Sequence, residues 1–351
     1  MTSFDALMAF QRETSALAQV AGRLGWDQET MMPRGAAEQR GLETAAMESI
    51  LHARRSAPEV GEWLETAEAH DPTDLAQIRE IRRAYDRANK VPADLAKRRA
   101  QVIGEAQGKW VAARAAEDVA SFLPVLDEVV ALKREEGAAL ANGSDLYDAM
   151  LDDYEPGTTG AQIAAIFDAM RPRLVDLRAA VLDKPKPGGV TGPFDEAAQM
   201  VLSRELSQTF GYDLNRGRVD KAVHPFSSGS GSDVRITTRT SATDPFNCIY
   251  STIHEVGHAA YEQGIDPAYA LTPLGQGVSM GVHESQSRIY ENQIGRSQSF
   301  TGYLFDRMKA VFGDFGIADA DAFYAAVNCV ENGYIRTEAD EVQYNLHIML
   351  R

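Results

Sequence analysis

The strongest constraint on the fold is the helix-forming composition of the first half of the chain. From the start to about residue 182, long stretches rich in Ala, Leu, Glu, Arg and Gln alternate with short breaks at DPTD, NKVP and EPGTTG. After the last break, Thr159 and Gln162 make a capping-box pattern. Four apolar residues then fall on one helical face: Ile163, Ile166, Phe167 and Met170. The pattern predicts an array of many helices over residues 1–182.

A Pro- and Gly-rich segment, DKPKPGGVTGPFD, separates this array from the rest of the chain at residues 183–195. It is short enough to be a connection between helices, which we favour over a domain linker. We therefore predict one domain over residues 1–351, with parts at 1–182 and 196–351. Residues Asp233–Arg239 alternate in polarity as a half-buried strand does, and we expect a hairpin partner near AVHPF, with SSGSGS at the tip. The predicted class is mostly α with one small sheet.

Composition argues against several kinds of partner and compartment. With 35 basic and 51 acidic side chains the formal charge is −16, which disfavours binding to nucleic acid or to an anionic membrane. No apolar run approaches the length of a membrane span, and the N-terminus lacks the features of a secretion signal. Cys248 and Cys329 are the only cysteines, which fits a reducing cytoplasm.

The segment STIHEVGHAAYEQG carries the arrangement His254, Glu255 and His258. Two imidazoles four residues apart project from one helix face and can chelate one ion. Zinc in catalytic sites takes three protein ligands of this type and keeps one position for water, which Glu255 would reach as a general base.

A third ligand is available in GVSMGVHESQSRIYENQIG, which we interpret as a following helix. His283 and Glu284 lie 25 and 26 residues after His258. They point about 100° apart on a helix, so at most one of them should ligate. Periodicity does not choose between them, and the other residue would support the ligand or line the groove wall.

Several segments together resemble the Taq-type thermostable carboxypeptidase family of zinc peptidases. These are HPF at 224–226, DVRIT at 233–237, HEVGH at 254–258, HESQS at 283–287 and IRTEAD at 335–340, with WDQETMMP and YDAMLDDYEPG before them. The resemblance selects Glu284 over His283 as the third ligand. It implies a mostly helical, zincin-like fold with a deep groove, one zinc ion per chain with cobalt as a substitute, and a homodimer. It also implies release of single C-terminal residues from peptides with broad preference.

Under this resemblance residues 196–351 form the zinc-site part, and 1–182 form the N-terminal helical part or lid. Family members continue beyond this chain, and their last motif, of the GxxQDxHW kind, is absent here. We expect the chain to lack its usual C-terminal portion. Ile335, Ala339, Val342, Leu346 and Met349 trace a helical stripe that runs toward the end.

A carboxypeptidase must bind a free carboxylate, which arginine does well through two parallel hydrogen bonds. Arg336 is the first candidate, and an ion pair with Asp340 is an equally good interpretation. Weaker candidates for contact with substrate are Arg235, Arg239, His224 and His283, while His347 and Tyr344 could stabilise an oxyanion or pack between helices. Two rival functions share the same site: an oligoendopeptidase, and a zinc-binding helical protein without catalytic activity.

Overall fold

The computed structural model describes residues 2–336 and 339–350. Fourteen α-helices span most of this described part. They are α1 (Ser3–Thr30), α2 (Ala37–Arg55), α3 (Pro58–Thr66), α4 (Pro72–Lys90), α5 (Ala93–Ala115), α6 (Val119–Ala141), α7 (Leu146–Leu151), α8 (Gly160–Leu182), α9 (Glu196–Thr209), α10 (Pro245–Gly264), α11 (Met280–Arg288), α12 (Gln298–Phe312), α13 (Ala320–Val327) and α14 (Glu341–Met349). Short 3₁₀ turns lie at Arg34–Ala36, Pro267–Tyr269 and Pro273–Gly275, and a π-helical segment occupies Ile289–Ile294. The mostly helical prediction is confirmed.

Side-chain caps fix where many of these helices begin. The predicted capping box at Thr159 is confirmed, because its hydroxyl accepts from the backbone of Gln162 and the Gln162 side chain accepts from the backbone of Thr159. The apolar stripe that follows is only partly covered: Ile166 is 60% exposed, and no residue of α8 is fully buried. For α8 the capping pattern thus predicted the helix start correctly, whereas the apolar stripe did not mark a buried face.

The chain divides into two compact units, and the first comprises residues up to Gly157 together with 228–231 and 264–278. Its seven helices, α1–α7, bury two apolar clusters, one of which contains Leu7, Leu64 and Ile81. Helices α2 and α5 approach closely where two glycines meet, since a Cβ on Gly104 would lie 3.1 Å from Gly41 Cα. This unit corresponds to most of the predicted helical array.

A buried carboxylate, Glu136 of α6, organises the charges of the first unit. Its side chain is 1% exposed and forms ion pairs with Arg87 at 2.9 Å, with Lys133 at 3.0 Å and with Arg99. Burial and the neighbouring charge of Arg87 lower the pKa of the Arg99 guanidinium. We call these four residues the Glu136 cluster.

The second unit comprises residues 158–227, 232–263 and 279 onward. Its main core gathers fully buried side chains of α9, α10, α12 and α13, among them Leu206, Ile253, Leu304 and Phe323. A second cluster joins Val256 of α10 to Val234 and Ile236. Helix α10 thus contributes side chains to both apolar clusters of this unit.

A three-stranded sheet contains β1 (Gly217–Lys221), β2 (Ser227–Ser230) and β3 (Asp233–Thr238) in the order β1-β3-β2. The predicted strand at residues 233–239 is confirmed as β3. The expected partner near AVHPF is present as β2, which begins directly after that segment and neighbours β3, but the first four residues of the SSGSGS patch form this strand and not the hairpin tip. Strand β1 pairs with β3 in parallel, with Val219 opposite Ile236. A parallel partner is brought in by tertiary packing, so local turn residues do not reveal it.

The last helix begins later than its apolar stripe indicates. Asp340 caps α14 by accepting from the backbone N–H groups of Val342 and Gln343, so Ile335 and Ala339 lie before the helix. Two residues of the IRTEAD motif, at positions 337 and 338, lie outside the described residues. Among the helices that the structure describes, none is both long and apolar enough to span a bilayer.

Candidate metal centre

Helix α10 presents His254 and His258 on one face. Pro245 is its first residue, and the Asp244 carboxylate accepts from the Phe246 backbone N–H at 2.9 Å, which fixes where the helix starts. The two imidazoles lie one turn apart, with ring centroids 5.0 Å from each other. The spacing read from the sequence therefore places both rings together.

Helix α11 brings Glu284 to the same place. Its Oε2 lies 3.5 Å from His254 Nε2 and 3.6 Å from His258 Nε2. Ligand atoms of the three residues all fall within 4.8 Å of one another. Four donors at about 2.0–2.2 Å around a tetrahedral zinc ion are separated by about 3.4 Å, so this donor set fits a metal ion of that size.

The approach of α11 to α10 depends on Gly257, which stands between the two histidines. A Cβ at this position would lie 2.5 Å from Ser287 Cα and 3.1 Å from Gln286 O. Because those atoms are backbone, no side-chain rotation could relieve the overlap. Glycine thus allows the helix carrying Glu284 to come within reach of the imidazoles.

Each of the three side chains is oriented by a neighbour. His254 Nδ1 lies 2.8 Å from Glu291 Oε2, and His258 Nδ1 lies 2.6 Å from His283 Nδ1. The buried Ser287 hydroxyl donates to Glu284 Oε2 at 2.7 Å. With each Nδ1 engaged, both Nε2 atoms are left to face the Glu284 carboxylate, which is the usual arrangement of metal-binding histidines.

Glu291 belongs to the π-helical segment that continues α11, a form of helix often found at functional sites. It also accepts from Arg288 at 3.1 Å and lies 3.7 Å from Arg296. Burial alone would raise the pKa of Glu291, but the hydrogen bond from His254 and the two arginines lower it to about 2. The carboxylate beside His254 is therefore ionised at neutral pH.

The two histidines differ in charge preference. Burial is the largest single influence and would lower the pKa of His254, but the hydrogen bond to Glu291 and the negative charges of Glu255, Glu291 and Glu284 together raise it. For His258, burial and the nearby charge of His254 lower the pKa to about 4. A neutral imidazole is the form that binds a metal ion, and the surroundings of His258 favour that form without help.

Glu255 lies beside these candidate ligands on α10 and is 6% exposed. Burial raises its pKa to about 8, and the carboxylates of Glu284 and Glu291 act in the same direction against the opposing charge of His254. These surroundings therefore favour the neutral carboxyl form of Glu255 more than water does.

Arg336 lies over the ring of Tyr344, with its Cζ 5.9 Å from the ring centroid. Arg288 stacks on the same ring at 4.4 Å and also binds Glu291, so this aromatic ring links Arg336 to the residues around the ligands. Within the described residues, no ion pair joins Arg336 to Asp340, whose carboxylate caps α14 instead.

The other candidates for substrate contact have their own places in the fold. Arg235 forms a two-point ion pair with Asp233 at 2.7 and 3.0 Å. His224 is exposed in the connection between β1 and β2. His347 Nε2 lies 3.1 Å from the carbonyl oxygen of Gly333.

Sequence reasoning missed several residues of this site. Glu262 follows His258 by four residues, and Glu291 follows Glu284 by seven, so both are spaced to lie on the ligand-bearing helix face. This spacing could have identified Glu262 and Glu291 from the sequence. The close approach of α11 to α10 is marked in the sequence only by Gly257 itself.

The chain is similar to known proteins over nearly its whole length. The sequence pattern of the carboxypeptidase Taq (M32) metallopeptidase family matches residues 6–351. Thermostable carboxypeptidase 1 of Thermus thermophilus is 42% identical over 99% of this chain and 72% of its own length. Among solved structures, metallocarboxypeptidase 1 of Trypanosoma cruzi has a TM-score of 0.88 at 34% identity, covering 99% of this chain and 72% of that one. The M32 carboxypeptidase of Deinococcus radiodurans has a TM-score of 0.89 at 34% identity, covering 99% and 71%.

Proposed function

The chain belongs to the carboxypeptidase Taq (M32) family of metallopeptidases, and from this membership we propose that it is a zinc carboxypeptidase with broad preference for the released residue. Family membership alone makes it a metallocarboxypeptidase, a hydrolase of peptide bonds. The observation that carries the finer proposal is the convergence of two Nε2 atoms on one oxygen of Glu284, at 3.5 and 3.6 Å. Two nitrogens and one carboxylate oxygen are the donor set of many catalytic zinc sites.

His254, His258 and Glu284 would hold one metal ion per chain. Zinc is proposed because imidazole and carboxylate donors at tetrahedral spacing suit it, and cobalt accepts the same donors. When bound, a divalent ion supplies positive charge that polarises a peptide carbonyl and favours the ionised form of the nearby Glu255.

Glu255 would move the proton in hydrolysis. One carboxylate oxygen accepts a proton from the attacking water, and the same group then donates it to the leaving amine nitrogen. Its burial supports this role, since a carboxylate with few water neighbours accepts a proton readily. Its position one residue after His254 keeps it beside the ligands throughout.

Arg336 is proposed to bind the substrate's free C-terminal carboxylate. Its planar guanidinium lies over Tyr344 and can offer two parallel hydrogen bonds to a carboxylate. His224, Arg235 and His283 remain weaker proposals for contact with substrate. We further propose a homodimer in the cytoplasm, as the family resemblance and the two cysteines indicate.

The experiment combines metal analysis with two peptides that differ only at the C-terminus. One is an N-blocked dipeptide with a free carboxylate, and the other carries a C-terminal amide. We expect about one zinc ion per chain and chelator-sensitive hydrolysis of the free acid alone. Equal cleavage of both peptides would identify an endopeptidase, and bound metal without any hydrolysis would identify a non-catalytic zinc-binding protein.

Replacement of Glu255 by Gln separates metal binding from proton transfer. Loss of a positioned general base costs about 10²–10⁴-fold in rate, so Glu255→Gln should bind metal and be nearly inactive. Glu205→Gln, which removes a carboxylate paired with Arg307 of α12, is the control and should keep wild-type activity. Full activity in Glu255→Gln would remove this residue from the mechanism.

A further inference from the structure

The two ligand imidazoles are oriented in different ways. His254 Nδ1 meets a carboxylate directly, since Glu291 Oε2 lies 2.8 Å away. His258 Nδ1 instead meets a second imidazole, that of His283, at 2.6 Å. The question is what holds His283, because an imidazole that turns freely could not fix its neighbour.

Glu262 supplies that support from the same helix as His258, one turn further on. Its Oε1 lies 2.9 Å from His283 Nε2, and its side chain is 10% exposed. The buried Oε2 of Glu262 has no hydrogen-bond partner among the residues that the structure describes. A buried carboxylate costs free energy unless it is paired, so its contact with His283 accounts for its presence here.

Hydrogen-bond chemistry then assigns every proton along the chain of contacts. If His258 Nε2 offers its lone pair to a metal, its Nδ1 carries the hydrogen and donates to His283 Nδ1. His283 Nδ1 must therefore be the acceptor, so its hydrogen sits on Nε2 and is donated to Glu262. An ionised carboxylate at Glu262 only accepts hydrogen bonds, so it suits a His283 ring with its hydrogen on Nε2.

Packing fixes the plane of the middle ring. The His283 ring lies 4.8 Å from the His258 ring and 4.7 Å from the Tyr261 ring, at tilts of 37° and 38°. Both ring nitrogens of His283 are already engaged within the protein. A role in substrate contact would require one of these bonds to break.

We propose that Glu262 is a positioning residue which acts through His283 to hold His258 Nε2 toward the metal ion. The proposal rests on the proposed metal site but not on catalysis. Under this proposal His283, which directly precedes the proposed ligand Glu284, helps to orient His258, the proposed ligand on the other helix. The consecutive residues His283 and Glu284 then have different roles: His283 orients His258, and Glu284 binds the metal ion.

The test measures metal affinity in the full chain by competition with a chromophoric chelator, together with the visible spectrum of the cobalt form. Glu262→Met keeps the side-chain volume and removes the acceptor, so zinc affinity should fall about 10–100-fold and the cobalt spectrum should change. Glu262→Gln keeps an acceptor oxygen without charge, so its loss should be smaller but above twofold. Glu205→Met and Glu205→Gln are the matched controls and should bind as the wild type does.

Two results would overturn the proposal. One is a folded Glu262→Met variant that binds zinc as tightly as Glu205→Met with an unchanged cobalt spectrum. If Glu262→Met does not fold, Glu262→Gln decides, and wild-type affinity and spectrum in that variant count against the role. Failure of the wild-type chain itself to bind metal would instead reject the proposed function, so the two failures are distinguishable.

Discussion

Substitution of Gly257 by Ala tests whether the close approach of α10 and α11 builds the metal centre. The added Cβ would lie 2.5 Å from Ser287 Cα, whereas non-bonded carbon atoms settle at about 3.5–4.0 Å. The helices must therefore separate by about 1 Å or bear the overlap. Glu284 stands three residues before Ser287 on the moving helix, and metal–ligand distances tolerate only about 0.2 Å.

The expected loss of zinc affinity depends on which form of the protein, metal-free or metal-bound, can relieve the steric strain. Overpacking of this kind costs about 1–3 kcal/mol. The metal-free protein can relax by letting the helices part, but the metal-bound form must close them again and bear that cost. Zinc affinity should then fall roughly 5- to 140-fold, since each 1.4 kcal/mol is a factor of ten.

Competition with a chromophoric chelator gives the affinity, and circular dichroism reports whether the helices remain. Gly302→Ala is the matched control, because Gly302 lies within α12 and a Cβ there meets nothing within 4 Å. That variant should keep wild-type affinity and gain about 0.5–1 kcal/mol of stability. If Gly257→Ala bound zinc within twofold of Gly302→Ala, the steric reasoning would be refuted.

Other contacts of the two units give further predictions. Replacing Glu136 by Leu leaves the three cations of its cluster around an apolar site, so it should cost about 3–5 kcal/mol in calorimetric stability; an unchanged Tm would contradict this. Hydrogen bonds from Arg307 lower the pKa of Glu205 below 4.5, so this half-exposed pair stabilises the fold above that pH and the benefit is lost as pH falls through the lowered value. Because solvent screens the pair, Glu205→Gln should lower the free energy of urea unfolding by at most about 1 kcal/mol at pH 7, and by progressively less as the pH falls through the lowered pKa of Glu205. Zinc at a hundred times its Kd should add about 2.7 kcal/mol of stability, and His254→Ala should abolish that gain in a thermal scan.

Sequence patterns correctly predicted the features that depend on contacts between residues close together in the chain. The capping box at Thr159 and the four-residue spacing of His254 and His258 appear in the structure as predicted, because both depend on contacts within one helical turn. The start of α14 was missed because apolar spacing alone ignored Asp340, whose carboxylate caps the helix. Where a cap and a stripe disagree, hydrogen bonding at the helix end determines the boundary.

The environment of the metal centre depends on contacts that no local pattern encodes. Helical periodicity could not choose between His283 and Glu284, since consecutive residues point about 100° apart and either direction can face a neighbour. In the folded chain both directions are used: Glu284 faces the Nε2 atoms of both histidines, and His283 reaches the Nδ1 atom of His258. Both contacts require one particular translation and rotation of α11 relative to α10. The close backbone contact at Gly257 sets that packing. Spacing therefore predicts that the imidazoles of His254 and His258 lie together, but their orientation and the approach of Glu284 follow only once α10 and α11 have packed together.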